Sequence, residues 1–352
     1  MTRSIRTLPV AALACGILAL ASCTVSSSAS SQRASSLAPL VKFPADQAAH
    51  TKVQNEWWYV VGHLRAGSRT FGYETTIFKF VNVQPPGLLT PVSAYRSDVA
   101  ITDETHHGFF WHISYYFPVS ASVSTSQLAT RVSDAALSSV SGTDIHLSAS
   151  LKDRSLSLNL HSQRNPMYVG GRGYIPFGNG YSYYYSLTDL KTSGTLRLFN
   201  KILPVTGVSW MDHQWGTWDW SAVHGWTWMA LQLSNGVQMS VFDFRSASGR
   251  LKAASVLTVG GKTRTLRKVT IRPTGSWKSS RSGATYPSGW VVRIPSMNAR
   301  FIVTPAVKDQ ELIVPGDVRG SYWEGSGGLT GTWKRKPVTG KTYTELTGYA
   351  GT

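Results

Sequence analysis

Two aspartates stand among tryptophans in an arrangement suited to proton transfer onto an apolar molecule. Asp212 lies in Trp210-Met211-Asp212-His213-Gln214-Trp215 and Asp243 in Phe242-Asp243-Phe244, with Trp218, Trp220, Trp226 and Trp228 between them. A carboxylic acid among apolar side chains loses the water that would stabilise its charge. Its pKa rises and it can hold a proton near neutral pH. Indole faces stabilise a cation without offering a nucleophile, and an imidazole such as His213 can hold a water or take back a proton. These ingredients suffice for hydration or isomerisation of an isolated alkene, and they call for no cofactor.

Strand geometry restricts the picture, because successive side chains point to opposite faces. His213 shares a face with Met211 and Trp215, whereas Asp212 goes with Trp210 and Gln214. The expectation is that His213 and Trp215 line a cavity, with Asp212 either joining them through a bulge or bonding backbone at a domain junction. Asp243 reads as an acid or as an exposed partner of Arg245. Glu56 and Glu324, each beside a tryptophan, read as barrel-closing hydrogen bonders or as acids. Candidate ligand contacts are Trp57, Trp58, Tyr59, Tyr183, Tyr184, Trp210, Trp226, Trp228, Trp323 and Glu324.

The elements that must position these residues announce themselves by repetition. Trp57, Tyr59, Leu64 and Gly67 fall at the same offsets as Trp226, Trp228, Leu233 and Gly236, and each copy runs into a Phe-x-Phe strand, Phe78-Lys79-Phe80 or Phe242-Asp243-Phe244. Short runs rich in Val, Ile, Thr, Tyr, Phe and Trp alternate with Gly and Pro breakers, and no helical periodicity is sustained. The expected class is all-β: two lipocalin-like antiparallel β-barrel domains in tandem, residues 41–221 and 222–352. Each is expected to be a closed up-and-down barrel around an apolar hollow, since closure removes exposed edges.

Residues 1–22 read as a lipoprotein signal peptide, with basic Arg3 and Arg6, an apolar stretch from Leu8 to Ala21, and Leu20-Ala21-Ser22-Cys23 as the lipidation motif. Cys23 is the expected lipid anchor, and Ser/Ala-rich residues 23–40 the tether. No cysteine follows it, which excludes disulfides and thiolate metal sites downstream. The formal net charge is +17. A secretory leader argues against nucleic acid as its partner and favours anionic lipid or wall polymer. The expected location is the bacterial cell envelope, as a membrane-anchored monomer facing outside the cytoplasm.

The chain resembles the family that joins carotenoid 1,2-hydratases (hydroxyneurosporene synthases) with the AttH-like proteins often labelled predicted secreted hydrolases. The resemblance rests on Glu56-Trp57-Trp58-Tyr59, Ser182-Tyr183-Tyr184-Tyr185-Ser186, Val205 through Gly216, Gly225-Trp226-Thr227-Trp228, Thr285 through Trp290, Asp309-Gln310-Glu311-Leu312, Tyr322-Trp323-Glu324-Gly325 and Glu345 through Tyr349. It implies two lipocalin-like barrels and the secreted branch. That branch has Glu where this chain has Gln214. By similarity to the hydratases, His213 and Trp215 line the reaction site and Asp243 matches the proton donor, although Val241 stands where they carry Tyr.

Other chemistries lack their residues. No Gly-x-Ser-x-Gly elbow, His-Glu-x-x-His or phosphate-cradling glycine loop occurs, and the histidines His106, His107 and His112 have no metal-binding motif around them. No metal is expected. The leading expectation is an envelope lipoprotein that binds a long apolar ligand (isoprenoid, polyene or acyl chain) near the domain junction, with acid-assisted hydration or isomerisation as its chemistry. The alternatives are a non-catalytic lipid carrier, a secreted hydrolase and a wall-binding surface protein.

Overall fold

The computed structural model describes residues 38–83, 90–116 and 121–351, Tyr116 in its backbone only. The expected signal peptide, most of the expected tether and Cys23 lie outside the described residues. The described chain is all-β, with only three-residue 3-10 turns between strands. Two antiparallel sheets dominate. The first takes its strands from Asn55–Ala66 through Lys201–Thr217, and the second from Val223–Leu233 through Lys336–Leu346. Each is a curled, lipocalin-like half-barrel.

The central strands explain themselves by alternation. In Asn55–Ala66, Trp58, Val60 and Leu64 enter the core of the first half-barrel, while Tyr59 and Val61 on the opposite face join a separate apolar cluster between the sheets. Val223–Leu233 repeats the pattern: Met229, Leu231 and Leu233 fill the second half-barrel, and Trp228 and Ala230 face the first sheet. Asn55–Ala66 is flanked by Arg69–Val83 and Lys201–Thr217. Val223–Leu233 is flanked by Gln238–Ser246 and Lys336–Leu346. The duplicated sequence is a duplicated structural position.

The barrels differ from expectation in two ways. Among the described residues, the first sheet runs from Gly108–Tyr116 at one end to Ala121–Val123 at the other, with no ladder joining them. It closes by side-chain packing of Arg69–Val83 and Val92–Asp103 across the interior onto Ala135–Ser141 and Asp144–Leu151. Nor are the interiors hollow. Trp58, Phe71, Tyr73, Ile77 and Tyr185 fill the first, and Tyr286, Trp290, Phe301 and Trp323 the second, each side chain less than 2 % exposed. The apolar space lies where the sheets meet.

That junction is tightly built. A Cβ on Gly72 would come 2.5 Å from Ser326, so only glycine permits this approach of the two sheets. Hydrogen bonds cross it from His63 Nε2 to the Thr342 carbonyl (3.0 Å), from Thr102 Oγ1 to Gln310 Oε1 (2.7 Å) and from Gln232 Nε2 to the Thr188 carbonyl (2.8 Å). These bonds pair some of the polar groups buried between the sheets, and the described residues from Ala38 onward belong to one compact unit.

Candidate active site

Between the half-barrels the facing strands leave a narrow apolar cleft. It is so narrow that the centre of a water molecule reaches only about 70 Å³ of it. Trp57, Tyr59, Thr76 and Phe78 form one wall with Ile175, Pro176, Phe177, Tyr184, Asp212 and Gln214 from the same sheet. Trp226, Trp228, Phe242, Phe244, Leu251, Tyr322 and Glu345 form the other, and Trp220 lies at the crossing between sheets. Phe177 is the hub of the aromatic lining, with ring centroids 4.5 Å from Phe244 and 4.7 Å from Trp218. The cleft opens into a wider mouth that shares Phe78, Trp220, Trp226, Tyr322 and Glu345 and is edged by Arg96, His224 and Arg319.

Two carboxyl groups reach the cleft with no cation bonded to them. Asp212 is 3 % exposed. Trp210 Nε1 donates to its Oδ1 at 2.6 Å, and the Tyr184 hydroxyl donates to its Oδ2 in a very short bond. Burial raises its pKa, the hydrogen bonds oppose the rise only in part, and the group settles at about 7. Glu345, half-buried and facing the cleft, is also pushed up to about 7, by burial first and by the charge of Asp212, against a hydrogen bond from Trp226. Each acid is therefore held by an indole. With one lone pair on each Asp212 oxygen occupied, its acidic proton must sit on a remaining lone pair.

Further acids stand behind the wall. Tyr59 donates to Glu324 Oε1 at 2.6 Å, and Glu324 lies directly across the ladder from Glu345. Thr76, the ladder partner of Tyr59, donates to Glu74. Both glutamates are fully buried and held protonated well above the usual carboxylate range. Burial is the main cause, joined by Asp98 for Glu74 and by Glu345 and Glu74 for Glu324. The mostly buried guanidinium of Arg96 nearby is committed to Asp98 through two bonds of 2.8 and 2.6 Å, and Tyr322 donates to the same Asp98.

The alternation expected around Asp212 holds, but the face that looks onto the cleft is the other one. Asp212 and Gln214 face it; His213 and Trp215 point into the first half-barrel. There His213 is fully buried, stacked on Trp58 at 4.8 Å, with Nε2 3.0 Å from Glu56 Oε1. Burial lowers the imidazole pKa and outweighs the raising effect of Glu56. Trp215 stacks on His50 at 4.1 Å and on Tyr183 at 5.6 Å.

Asp243 also turns away from the cleft, as Lys79 does at the matching position between its own two phenylalanines. It is buried and takes two 2.6 Å bonds from Arg250, with Lys252 at 3.4 Å; the partner is not Arg245. Burial alone would raise its carboxyl, but these cations hold it below the ordinary value. A carboxylate so committed is a poor proton donor.

Of the expected ligand contacts, Trp57, Tyr59, Tyr184, Trp226 and Trp228 line the cleft. Trp210 and Glu324 stand one layer behind it. Trp58 and Tyr183 belong to the first half-barrel, and Trp323 fills the second, donating to the Lys308 carbonyl at 2.7 Å. Glu345, Gln214, Phe177, Phe78 and Tyr322 were not among the ligand contacts expected from sequence, although Gln214 stood out there as a departure from the family pattern. In sequence Glu345 appeared only as the first residue of the Glu345–Tyr349 motif; the ladder that pairs it with Trp228 is what brings it to the cleft.

Among the described residues one group has metal-ligand composition: His50, Glu56 and His213 offer donor atoms within 4.8 Å of one another. Their contacts are those of a hydrogen-bond hub. Glu56 accepts from the His50 backbone N–H, from His50 Nδ1 at 2.7 Å and from Lys79 Nζ at 3.0 Å, besides facing His213. Burial would raise this carboxyl, but hydrogen bonds from His213 and His50 and the charge of Lys79 hold it at about 2. A cation there would have to displace Lys79.

Ser114, His112 and Asp134 also meet, at the surface. Ser114 Oγ sits between His112 Nε2 (2.7 Å) and Asp134 Oδ2 (2.7 Å). A hydrolytic triad needs histidine in the middle, joined to the acid through its other nitrogen.

Comparison with known proteins agrees with this architecture. The AttH-like family model matches residues 35–349. A crystal structure of a protein from Nitrosomonas europaea assigned to AttH superposes with a TM-score of 0.78 at 27 % identity, covering 89 % of this chain and all of that one. Kievitone hydratase from Nectria haematococca shares the fold, with a TM-score of 0.73 at 18 % identity over 89 % of this chain and 94 % of that one. Dehydratase asqC from Emericella nidulans is 26 % identical over 180 residues, 48 % of this chain, so the match spans about half the length of that relative (51 %). The chain belongs to the AttH-like family.

Proposed function

We propose that this protein is a cofactor-independent hydro-lyase that adds water to, or removes it from, an unsaturated apolar ligand held between its half-barrels. The observation that carries this reading is the pair of cleft-facing carboxyl groups, Asp212 and Glu345, both with pKa about 7 inside an aromatic lining. One of such a pair is protonated while the other is ionised near neutral pH, which is the state that acid–base chemistry needs. A dehydratase and a hydratase among the relatives support the same class of reaction.

In the hydration direction Asp212 gives its proton to one alkene carbon as the π bond breaks, leaving a cation on the neighbouring carbon. The faces of Trp57, Trp226 and Trp228 stabilise that cation. A water oxygen bonds to it and passes a proton to the Glu345 carboxylate. The sum is addition of one water, and proton exchange through solvent restores the pair. Dehydration is the reverse.

The decisive assay incubates purified protein with a panel of acyclic polyenes and aryl- or prenyl-substituted alkenes in ¹⁸O-labelled water. Mass spectrometry should find a labelled alcohol with at least one of them, and Asp212→Asn should abolish it. Full turnover in Asp212→Asn would overturn the assignment, and unchanged lipid co-purifying in stoichiometric amount with no product from any substrate would favour a carrier.

A further inference from the structure

Gln214 is a buried amide that faces the cleft, and its N–H group finds no acceptor among the described residues. It is 4 % exposed. Its ladder partners Trp57 and Tyr184 line the same space, so the strand aims its side chain there by register. Asp212, the next residue on that face, already accepts from Trp210 and Tyr184 and does not turn to it. A buried N–H left unpaired is costly, and native interiors rarely tolerate one. A ligand oxygen in the cleft would relieve that cost.

We infer that Gln214 is a substrate-binding residue and that the substrate is an oxygenated apolar molecule, carrying a hydrogen-bond-accepting oxygen (carbonyl, ether or phenol) beside the reacting carbons. The spacing follows from the strand: residues two apart on one face are about 7 Å apart. The acceptor oxygen therefore lies roughly that far from the carbon facing Asp212. A site that hydrogen-bonds an oxygen discriminates against the analogue lacking it, because the amide then stays unpaired. A pure hydrocarbon polyene is accordingly disfavoured. This inference rests on the cleft being the ligand site, but not on Asp212 being the acid.

The test is calorimetric binding of two near-isosteric probes, 2-acetylnaphthalene and 2-isopropylnaphthalene, to the wild-type protein and to Gln214→Met. The substitution should weaken the ketone roughly three- to tenfold, the range of one neutral hydrogen bond, and leave the hydrocarbon within about twofold. The hydrocarbon arm reports whether the variant is folded and the cleft intact. Equal losses for both probes, or an unaffected ketone, overturn the role of Gln214. Failure of both probes to bind wild-type protein overturns it together with the cleft reading, whereas turnover that survives Asp212→Asn while the binding pattern holds refutes only the acid.

Discussion

Asp212→Asn should stabilise the protein while disabling it, and by an amount that depends on pH. Asparagine imitates the protonated acid in shape and keeps an acceptor for Trp210. Asp212 titrates at about 7 in the folded chain against an ordinary value of 3.8. Its folded-state pKa is raised, so between those values the folded state binds the proton more tightly than the unfolded one. Stability attributable to this group is then highest below about pH 4, falls as pH rises, and levels off above about 7. At about 1.4 kcal/mol per pH unit, three units amount to roughly 4 kcal/mol. Asn bears no such penalty. The variant should match wild type within about 1 kcal/mol at pH 4 and exceed it by about 4 kcal/mol at pH 8.5. For a domain of roughly 300 residues that is a rise of about 6 °C in Tm. Urea titrations and thermal scans at both pH values measure it. A difference independent of pH, or a variant less stable at pH 8.5, would refute the claim that Asp212 is an uncompensated buried acid.

Activity should follow a bell-shaped pH profile centred near 7, because one carboxyl of the Asp212–Glu345 pair must be protonated and the other ionised; Glu345→Gln should remove one limb, as steady-state rates across pH 5–9 will show. Glu56→Gln carries the opposite sign to Asp212→Asn. Its pKa of about 2 against 4.5 gives stability present above about 4.5 and lost as pH falls through 2, so the variant should lose about 3 kcal/mol at pH 7 and nothing near pH 2. Phe177→Ala should cost about 3 kcal/mol in urea denaturation and weaken aromatic probes, since its ring packs on Trp218 and on Phe244 of the opposite wall. Cys23→Ala should move the protein from the membrane to the soluble fraction on cell fractionation, if the lipidation motif works as its sequence reads.

The repeat of Trp57 and Tyr59 in Trp226 and Trp228 was legible because strand alternation and spacing survive in sequence, and all four residues line the cleft. The two faces of the Asp212 strand were legible too. Which face meets the second half-barrel was not, because both are apolar and alternation has no sign. That choice is made by the way the sheets pack, with Gly72 against Ser326, over 250 residues apart in sequence. Asp243 shows the same limit. Its Phe-x-Phe setting suggests an acid among aromatics, yet Arg250 on the adjacent hairpin strand takes it away. Glu345 and Gln214 became visible only when burial, ladder partners and missing hydrogen-bond partners were known together.

A crystal structure with 2-isopropenylnaphthalene bound tests the central claim most directly. The account predicts the probe between the half-barrels, its naphthalene against Trp57, Phe177 and Trp226 and its alkene carbon within van der Waals reach of an Asp212 oxygen. Density for the probe inside either half-barrel, beside His213 or Asp243 instead, would contradict it.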